Sequence, residues 1–240
     1  MPGLLPVLNR VKMTLARKEI SVTSDDRIAR LEKQVEYLSN RLGMAEDILA
    51  IRNLQHKYGY YMDKGLYEAV LALLSEDCEV HFLGGIFRGK AGARRLFIDR
   101  FRAKFQGGTD GPKPGVLMEH LQLQDVIDVA PDRKTAKARF RYFMQGGTHY
   151  TTGNASQFWE GGLYENIYVK EDDIWKFRVL IPKMIYIAEY EHGWAYTKPQ
   201  YFPFLDKTYP EDPLGPDELA AGKQVLWPDT DVLPFHYPYP

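Results

Sequence analysis

Two residues combine a titratable side chain with a position that favours its use, Asp63 and His120. Asp63 closes the stretch AEDILAIRNLQHKYGYYMD and falls in the last turn of the helix expected there. Unpaired carbonyls at that end make an anion unfavourable by roughly 0.3 to 1 kcal/mol. A carboxylate so placed, facing a pocket among Tyr60, Met62 and Tyr67, suits proton exchange as a general base or as the partner of a histidine. The plainer alternative is a solvated cap on the turn at Lys64 and Gly65. His120 lies in MEHLQLQDVIDV, where alternation sets Met118, His120 and Gln122 on one strand face and Leu117, Leu121 and Leu123 on the other. An imidazole opposite a helix-terminal carboxylate is a common acid/base pair, the carboxylate fixing the tautomer while the other ring nitrogen handles a substrate proton. A hydrogen-bonded structural histidine is the alternative. Tyr60, three residues before Asp63, completes the catalytic candidates.

The surroundings of such a pair are aromatic. Sixteen tyrosines, each with a hydroxyl to satisfy, suit a cavity for a flat phenolic or polycyclic ligand better than one for a sugar phosphate. Tyr58, Phe82, Phe140, Tyr142, Trp159, Tyr164 and Asn166 are the residues expected to line it, while Lys137 and Arg141 are expected to face solvent. His81 is expected on an outer face and His149 on a loop at the rim. The histidines and carboxylates show no HxxxH, HxH or facial-triad spacing, and no glycine-rich nucleotide loop or GxSxG elbow is present. Chemistry without a metal or other cofactor is the expectation.

Composition removes other classes. With 31 basic and 32 acidic residues the net charge is -1, which gives no electrostatic reason for a nucleic-acid or anionic-membrane partner. The single cysteine, Cys78, cannot form an intramolecular disulfide, so a reducing compartment fits. No apolar run reaches 18 residues and the N-terminus lacks a signal-peptide pattern, so the chain reads as cytoplasmic.

The elements that must position these residues follow from periodicity. Residues 1–25 read as a mobile arm. Ile28, Leu31, Val35, Leu38, Leu42, Ala45 and Leu49 recur at spacings of three and four behind the possible N-caps Thr23, Ser24 and Asp25. This helix has a coiled-coil-like seam, to be covered by its own domain or by another subunit. A second helical segment, Ala45 to Lys64, stops at Gly65, and a short third covers Leu66 to Leu74. The period then switches to two: CEVHF (Cys78 to Phe82) is a strand, LGG a turn, and IFRG a return strand before an amphipathic helix from Ala91 to Phe105. After a glycine-rich loop come strands at Val116 to Val129, Thr135 to Gln145, Gln157 to Lys170 and Ile174 to Ala188. Helices followed by a long meander mean α+β, with the N-terminal helices packed on a curved antiparallel sheet as a cone-shaped barrel spanning 26–188. The last 52 residues hold nine of the fifteen prolines and eleven of the thirty-two aromatic residues, so 189–240 reads as an ordered, irregular wrap whose rings bury against the domain or a neighbouring protomer, with Trp194, Tyr196, Trp227 and Phe235 as anchors.

In AEDILAIRNLQHKYGYYMDKGLYEAVLALLSEDCEVHF, MEHLQLQDVIDV and the hairpin YVKEDDIWKF, residues 45–188 resemble the SnoaL-like branch of the nuclear transport factor superfamily. That branch includes ketosteroid isomerases, limonene epoxide hydrolases and scytalone dehydratases. The resemblance implies the cone-shaped fold, cofactor-independent acid/base catalysis and a homotrimer. It also implies that the catalytic Asp and one catalytic histidine of the scytalone dehydratases fall on Asp63 and His120. Their second histidine has no counterpart near Gln145 to Gly147, their tyrosine before the Asp is replaced by Met62, and their pocket serine and asparagine fall near Gly162 and Tyr164, so a different substrate is implied. The long first helix and the tail ending in PFHYPYP resemble the diarylpropane lyases of lignin-dimer breakdown, which turn a diaryl diol into a stilbene with loss of formaldehyde and water. A dehydratase or isomerase on a polycyclic substrate, an epoxide hydrolase using an inward Arg139 or Arg141, and a non-catalytic small-molecule binding module are the alternatives.

Overall fold

The computed structural model describes residues 23–198, 204–222 and 224–237. The arm expected over 1–25 lies outside them up to residue 22, and from Ser24 onward the chain is helical. The chain divides into two units, residues 1–42 and 43–240. In the first, Thr23 caps the helix start: its Oγ1 accepts from the Asp26 N–H (3.1 Å), while the Asp26 carboxylate accepts from the Thr23 N–H (3.1 Å). Instead of two helices there is one, α1 (Ser24–Asp63), because no proline interrupts the two overlapping apolar patterns and the lone Gly43 between them is tolerated within the helix.

In the second unit, α1 buries Asp47, Ile51, Leu54, Gln55, Tyr58, Gly59 and Met62. It ends at Gly65, whose φ of +61° lets Leu66 N–H reach Tyr61 O (2.9 Å) and Gly65 N–H reach Met62 O (3.2 Å). There follow α2 (Tyr67–Ala72), β1 (Leu74–Phe82), β2 (Gly85–Arg88) and a composite helix: α3 (Gly89–Arg94), a π-helical stretch (Arg95–Arg102) and α4 (Ala103–Gln106). The meander consists of β3 (Val116–Val129), β4 (Thr135–Thr148), β5 (Ser156–Glu171), β6 (Ile174–Leu180) and β7 (Pro182–Glu189). A short helix α5 (Gly193–Tyr196) and a two-residue strand β8 (Glu218–Leu219) complete the described elements. The sheet runs β3-β4-β5-β6-β1-β2-β8, with β7 also on β5. It curves without closing. One pair departs from the antiparallel pattern, since β1 and β6 run parallel.

The single strand expected over Ile174 to Ala188 breaks at Ile181. Pro182 has no N–H to give the ladder, and Asn166 repairs the gap by accepting from the Ile181 N–H (2.9 Å). Both halves still pair with β5, β6 with its second half and β7 with its first.

Beneath the sheet, Asp47 is a buried hub, 4% exposed. It accepts from Arg133 Nε (2.6 Å), Lys170 Nζ (2.5 Å) and Trp175 Nε1 (2.9 Å), tying α1 to the β3–β4 turn, β5 and β6. The tail is ordered and irregular over its described residues, and within one chain its rings are only partly covered: Trp194, Tyr196, Trp227 and Phe235 remain 51%, 81%, 39% and 37% exposed. Backbone bonds hold it, from Leu205 to Leu83, Asp217 to Ile86, Ala220 to Gly84 and Trp227 to Ile185, because it runs along a sheet edge whose polar groups need partners. Arg95 adds an ion pair to Asp217 (2.7 Å). Among the described residues no helix is long and apolar enough to cross a membrane.

Burial pushes the Asp47 carboxyl up, but hydrogen bonds from Arg133, Lys170 and Trp175 outweigh it and hold it below the ordinary carboxylate range. A group depressed on folding contributes stability above its unfolded pKa and loses it as pH falls through the folded one. Asp47→Asn should therefore cost about 2 to 3 kcal/mol at pH 7, below the range for a fully buried pair because Arg133 keeps some solvent. Urea unfolding at pH 7 and pH 3 should show the wild-type advantage fading in acid.

Candidate active site

Gly59 sets the geometry of the site. A Cβ there would stand 2.8 Å from the His120 carbonyl oxygen, so α1 crosses β3 at a distance only glycine permits. One turn further on, Asp63 reaches the strand. Its Oδ1 accepts from the backbone N–H of His120 (2.5 Å) and lies 3.1 Å from the ring Nδ1. Both side chains are nearly buried, at 9% and 8% exposure. Satisfied at Nδ1 by an acceptor, the imidazole carries its proton there and turns the lone pair of Nε2 away from Asp63.

His120 faces a cavity of about 210 Å³. Tyr58 and Met62 enter it from α1, Phe82 and Leu83 from the end of β1, Phe101, Lys104 and Phe105 from the composite helix, and Met118 from β3. Opposite stand Tyr142 and Met144 from β4, Phe158, Glu160 and Tyr164 from β5, and Met184 and Ile187 from β7, with Gln224 of the tail at one side. The π-helical stretch carries Phe97 and Phe101, whose rings meet edge to face at 5.7 Å, and Phe82 and Phe105 extend that aromatic wall.

Glu160 is the acidic group of this cavity, and its Oε1 accepts from the Tyr142 hydroxyl (2.8 Å). Burial raises its carboxyl above the usual range, against the opposing hydrogen bond from Tyr142 and the nearby charge of His120. The phenols of Tyr58, Tyr142 and Tyr164 are all pushed up by burial, so they stay neutral donors. The cavity thus holds an oriented imidazole, a carboxyl favoured in its protonated form and three phenols.

Residues 43–181, more than half of the chain, match the family model of the SnoaL-like domain. The chain belongs to the SnoaL-like family. A comparison with curated proteins finds no match. Among solved structures, the crystal structure of LinA superposes with a TM-score of 0.51 at 15% identity, over 70% of this chain and 99% of that one, and has the same fold. A putative scytalone dehydratase from Novosphingobium aromaticivorans gives 0.48 at 22% identity, over 64% of this chain and 91% of that one. A type 2 hexachlorocyclohexane dehydrochlorinase (LinA) gives 0.49 at 18%, over 62% and 90%. The resemblance seen in the sequence is thereby shown at the level of family and fold.

Within this SnoaL-like domain the expected residues divide. Tyr58, Phe82, His120, Tyr142 and Tyr164 meet in the cavity. Asp63 supports His120 from behind, lining a shallow outer depression with His56, Tyr60 and Glu119 instead of the cavity. Tyr60 is 71% exposed, because it follows Gly59 on the helix face turned away from the cavity. Tyr67 is buried against Phe101. Phe140 is fully buried below the cavity. Asn166 points the same way as Tyr164 but one step deeper, bonded to Gln55 (2.9 Å) and Ile181. Trp159 has the opposite parity to Tyr164 and stacks outside on Tyr190, their ring centroids 5.4 Å apart. A side chain at Gly162 would strike the Tyr142 ring, which explains the missing pocket serine. Arg139 pairs with Glu165 and Arg141 with Gln124 on the outer face, so neither supplies an inward arginine. Among the described residues no group of three His, Cys, Asp or Glu side chains is placed to hold a metal ion.

Glu160 escaped the sequence reading although the signal was present: it shares the parity of Tyr164 on an inward row. A carboxyl raised on folding binds its proton more tightly when folded, so its burial costs stability that grows as pH rises from the unfolded value, about 4.3, to the folded one. Glu160→Gln should therefore match wild type at pH 4 and be the more stable of the two at pH 8, read by urea unfolding.

Proposed function

We propose that the protein is a cofactor-independent lyase acting on an aromatic alcohol. The observation that carries this reading is the convergence, in one aromatic cavity, of His120 oriented by Asp63 and Glu160 held by Tyr142. Such a pair can remove a hydroxyl and a proton from neighbouring atoms. Glu160 donates its proton to a benzylic hydroxyl, the C–O bond breaks and water leaves. The flat apolar walls and neutral phenols cradle the electron-poor, quinone-methide-like carbon skeleton.

Nε2 of His120 then takes one proton. If that proton is on the adjacent carbon, its bonding pair forms the alkene and the reaction is a dehydration. If the adjacent carbon carries a CH₂OH group, Nε2 takes the hydroxyl proton, the C–C bond breaks with its electrons entering the new double bond, and formaldehyde departs beside the water. One proton is given and one taken in either case, so transfer from His120 back to Glu160 resets the site.

The second course, on a lignin-derived diarylpropane diol giving a stilbene, is our preferred substrate assignment. Beyond the resemblance of its long helix and aromatic tail, the cavity adjoins a larger cleft of about 540 Å³ through the shared residues Phe82, Leu83, Pro182, Met184 and Gln224. One ring fits the cavity and the second has room in the cleft. Together they match the size of ordinary small-molecule sites.

The test is turnover of diaryl diols and hydroxylated polycyclic alcohols, followed by ultraviolet absorbance of the stilbene or alkene and by formaldehyde release. His120→Ala and Glu160→Gln should each lower kcat roughly 10²- to 10⁴-fold with an unchanged fold by circular dichroism. Asp63→Asn should fall in the same direction, whereas the exposed Tyr60→Phe should stay within about twofold. Full activity in His120→Ala would remove the imidazole from the mechanism. A compound that raises the melting temperature and is never consumed would make the cavity a binding site.

A further inference from the structure

Helix α1 carries two apolar stripes, and among the described residues only one is covered. The stripe formed by Ile51, Leu54, Tyr58 and Met62 is buried. The other, Ile28, Leu31, Val35, Leu38 and Leu42, continues to Leu49, and each of these six side chains is 53% to 62% exposed. They alternate at spacings of three and four, the a and d positions of a heptad, with Ile28, Val35, Leu42 and Leu49 at a and Leu31, Leu38 and Ala45 at d. The next d position is Arg52, which bonds Asp125 (2.7 Å), so the seam ends there and is not the core stripe prolonged. From Ile28 to Leu49 it runs about 32 Å at 1.5 Å per residue.

The flanking charges select the occupant. The g positions are Arg27, Gln34 and Arg41, and the e positions Glu32, Ser39 and Glu46, all exposed. In a parallel, in-register pair each g residue meets the e residue five positions on in the other helix. Arg27 then meets Glu32 and Arg41 meets Glu46, in both directions. An antiparallel pair would set g against g and e against e, which places arginine beside arginine and glutamate beside glutamate. Arg41 lies by Tyr37 of its own helix, with Nη1 3.3 Å from the hydroxyl, and both Arg41 and Glu46 are exposed. Branched Ile and Val at the first two a positions with Leu at the first two d positions favour two strands along this seam over the three chains that the family resemblance implies.

We propose that this face of α1 is a self-association surface on which a second copy of the chain docks as a parallel, in-register, two-stranded coiled coil. Its polarity is set by the Arg27–Glu32 and Arg41–Glu46 pairs, and it is independent of the cavity chemistry.

Sedimentation velocity of the full chain over a concentration series should show a reversible two-chain species. Arg27→Glu with Arg41→Glu should weaken association at least tenfold, as should Glu32→Arg with Glu46→Arg in a second chain. An equal mixture of the two variants should restore it, which a variant that had merely lost its fold could not do. Ile28→Cys, placed at one end of the seam so that only a parallel register brings two copies together, should give a disulfide-linked dimer on mild oxidation, Cys78 being buried. A chain that is monomeric throughout would overturn the proposal and leave the seam to a different occupant. So would a three-chain species, association indifferent to the charge reversals, or no cross-link at Ile28→Cys.

Discussion

The approach of α1 to β3 at Gly59 is the contact on which the site depends. A helix normally keeps its distance from a strand because side chains intervene, and here the absence of one lets the helix end arrive at the strand backbone. Asp63 then does two jobs with one oxygen, anchoring the His120 main chain and orienting its ring. The same carboxylate that docks the helix therefore sets the tautomer. Packing and the orientation of the ring are not separable at this position, and the proposed acid/base pair sits at a junction of elements and not on a loop.

Glu160 illustrates the opposite relation. The core surrounds it with tyrosine, phenylalanine and methionine side chains, and nothing cationic from the protein is bonded to it. Folding works against its charged form, so the site stores a carboxyl poised to give a proton at the expense of stability. Asp47, earlier on the same buried stripe of α1, shows what the fold does when a carboxylate is structural: three donors converge on it and hold it ionised. Two acidic residues in one domain thus take opposite roles through their neighbours alone.

Much of this was legible in the sequence. Period-two alternation separated His120 from the leucines of its strand and Tyr142 from Lys137 and Arg141, and the Gly65 signal fixed the helix end that carries Asp63. What failed was depth and parity. Phe140 and Asn166 have the right face but lie below the cavity, and Trp159 has the wrong face, because alternation says which side a residue takes and not how far along a curved sheet the void extends. The break at Ile181 was hidden because the apolar pattern runs straight through Pro182, and only the Asn166 side chain reveals that a ladder bond had to be replaced. In the tail, proline and ring content signalled order, while the hydrogen bonds along the sheet edge and the arginines that stack on its rings leave no trace in composition.

Gln224 lies at the boundary between the cavity and its neighbouring cleft, yet it belongs to the tail, well beyond the stretch that matches the family model. Its side chain is tethered to the Met184 carbonyl (2.7 Å), so the doorway is framed jointly by the domain and by its appendage. The groups proposed to move protons and this part of the entrance therefore occupy separate stretches of the coding sequence. Under the proposed chemistry, exchange or drift of the tail alone would alter which molecules are admitted while the proposed reaction centre is inherited intact, a route to new substrates that leaves His120, Asp63 and Glu160 untouched.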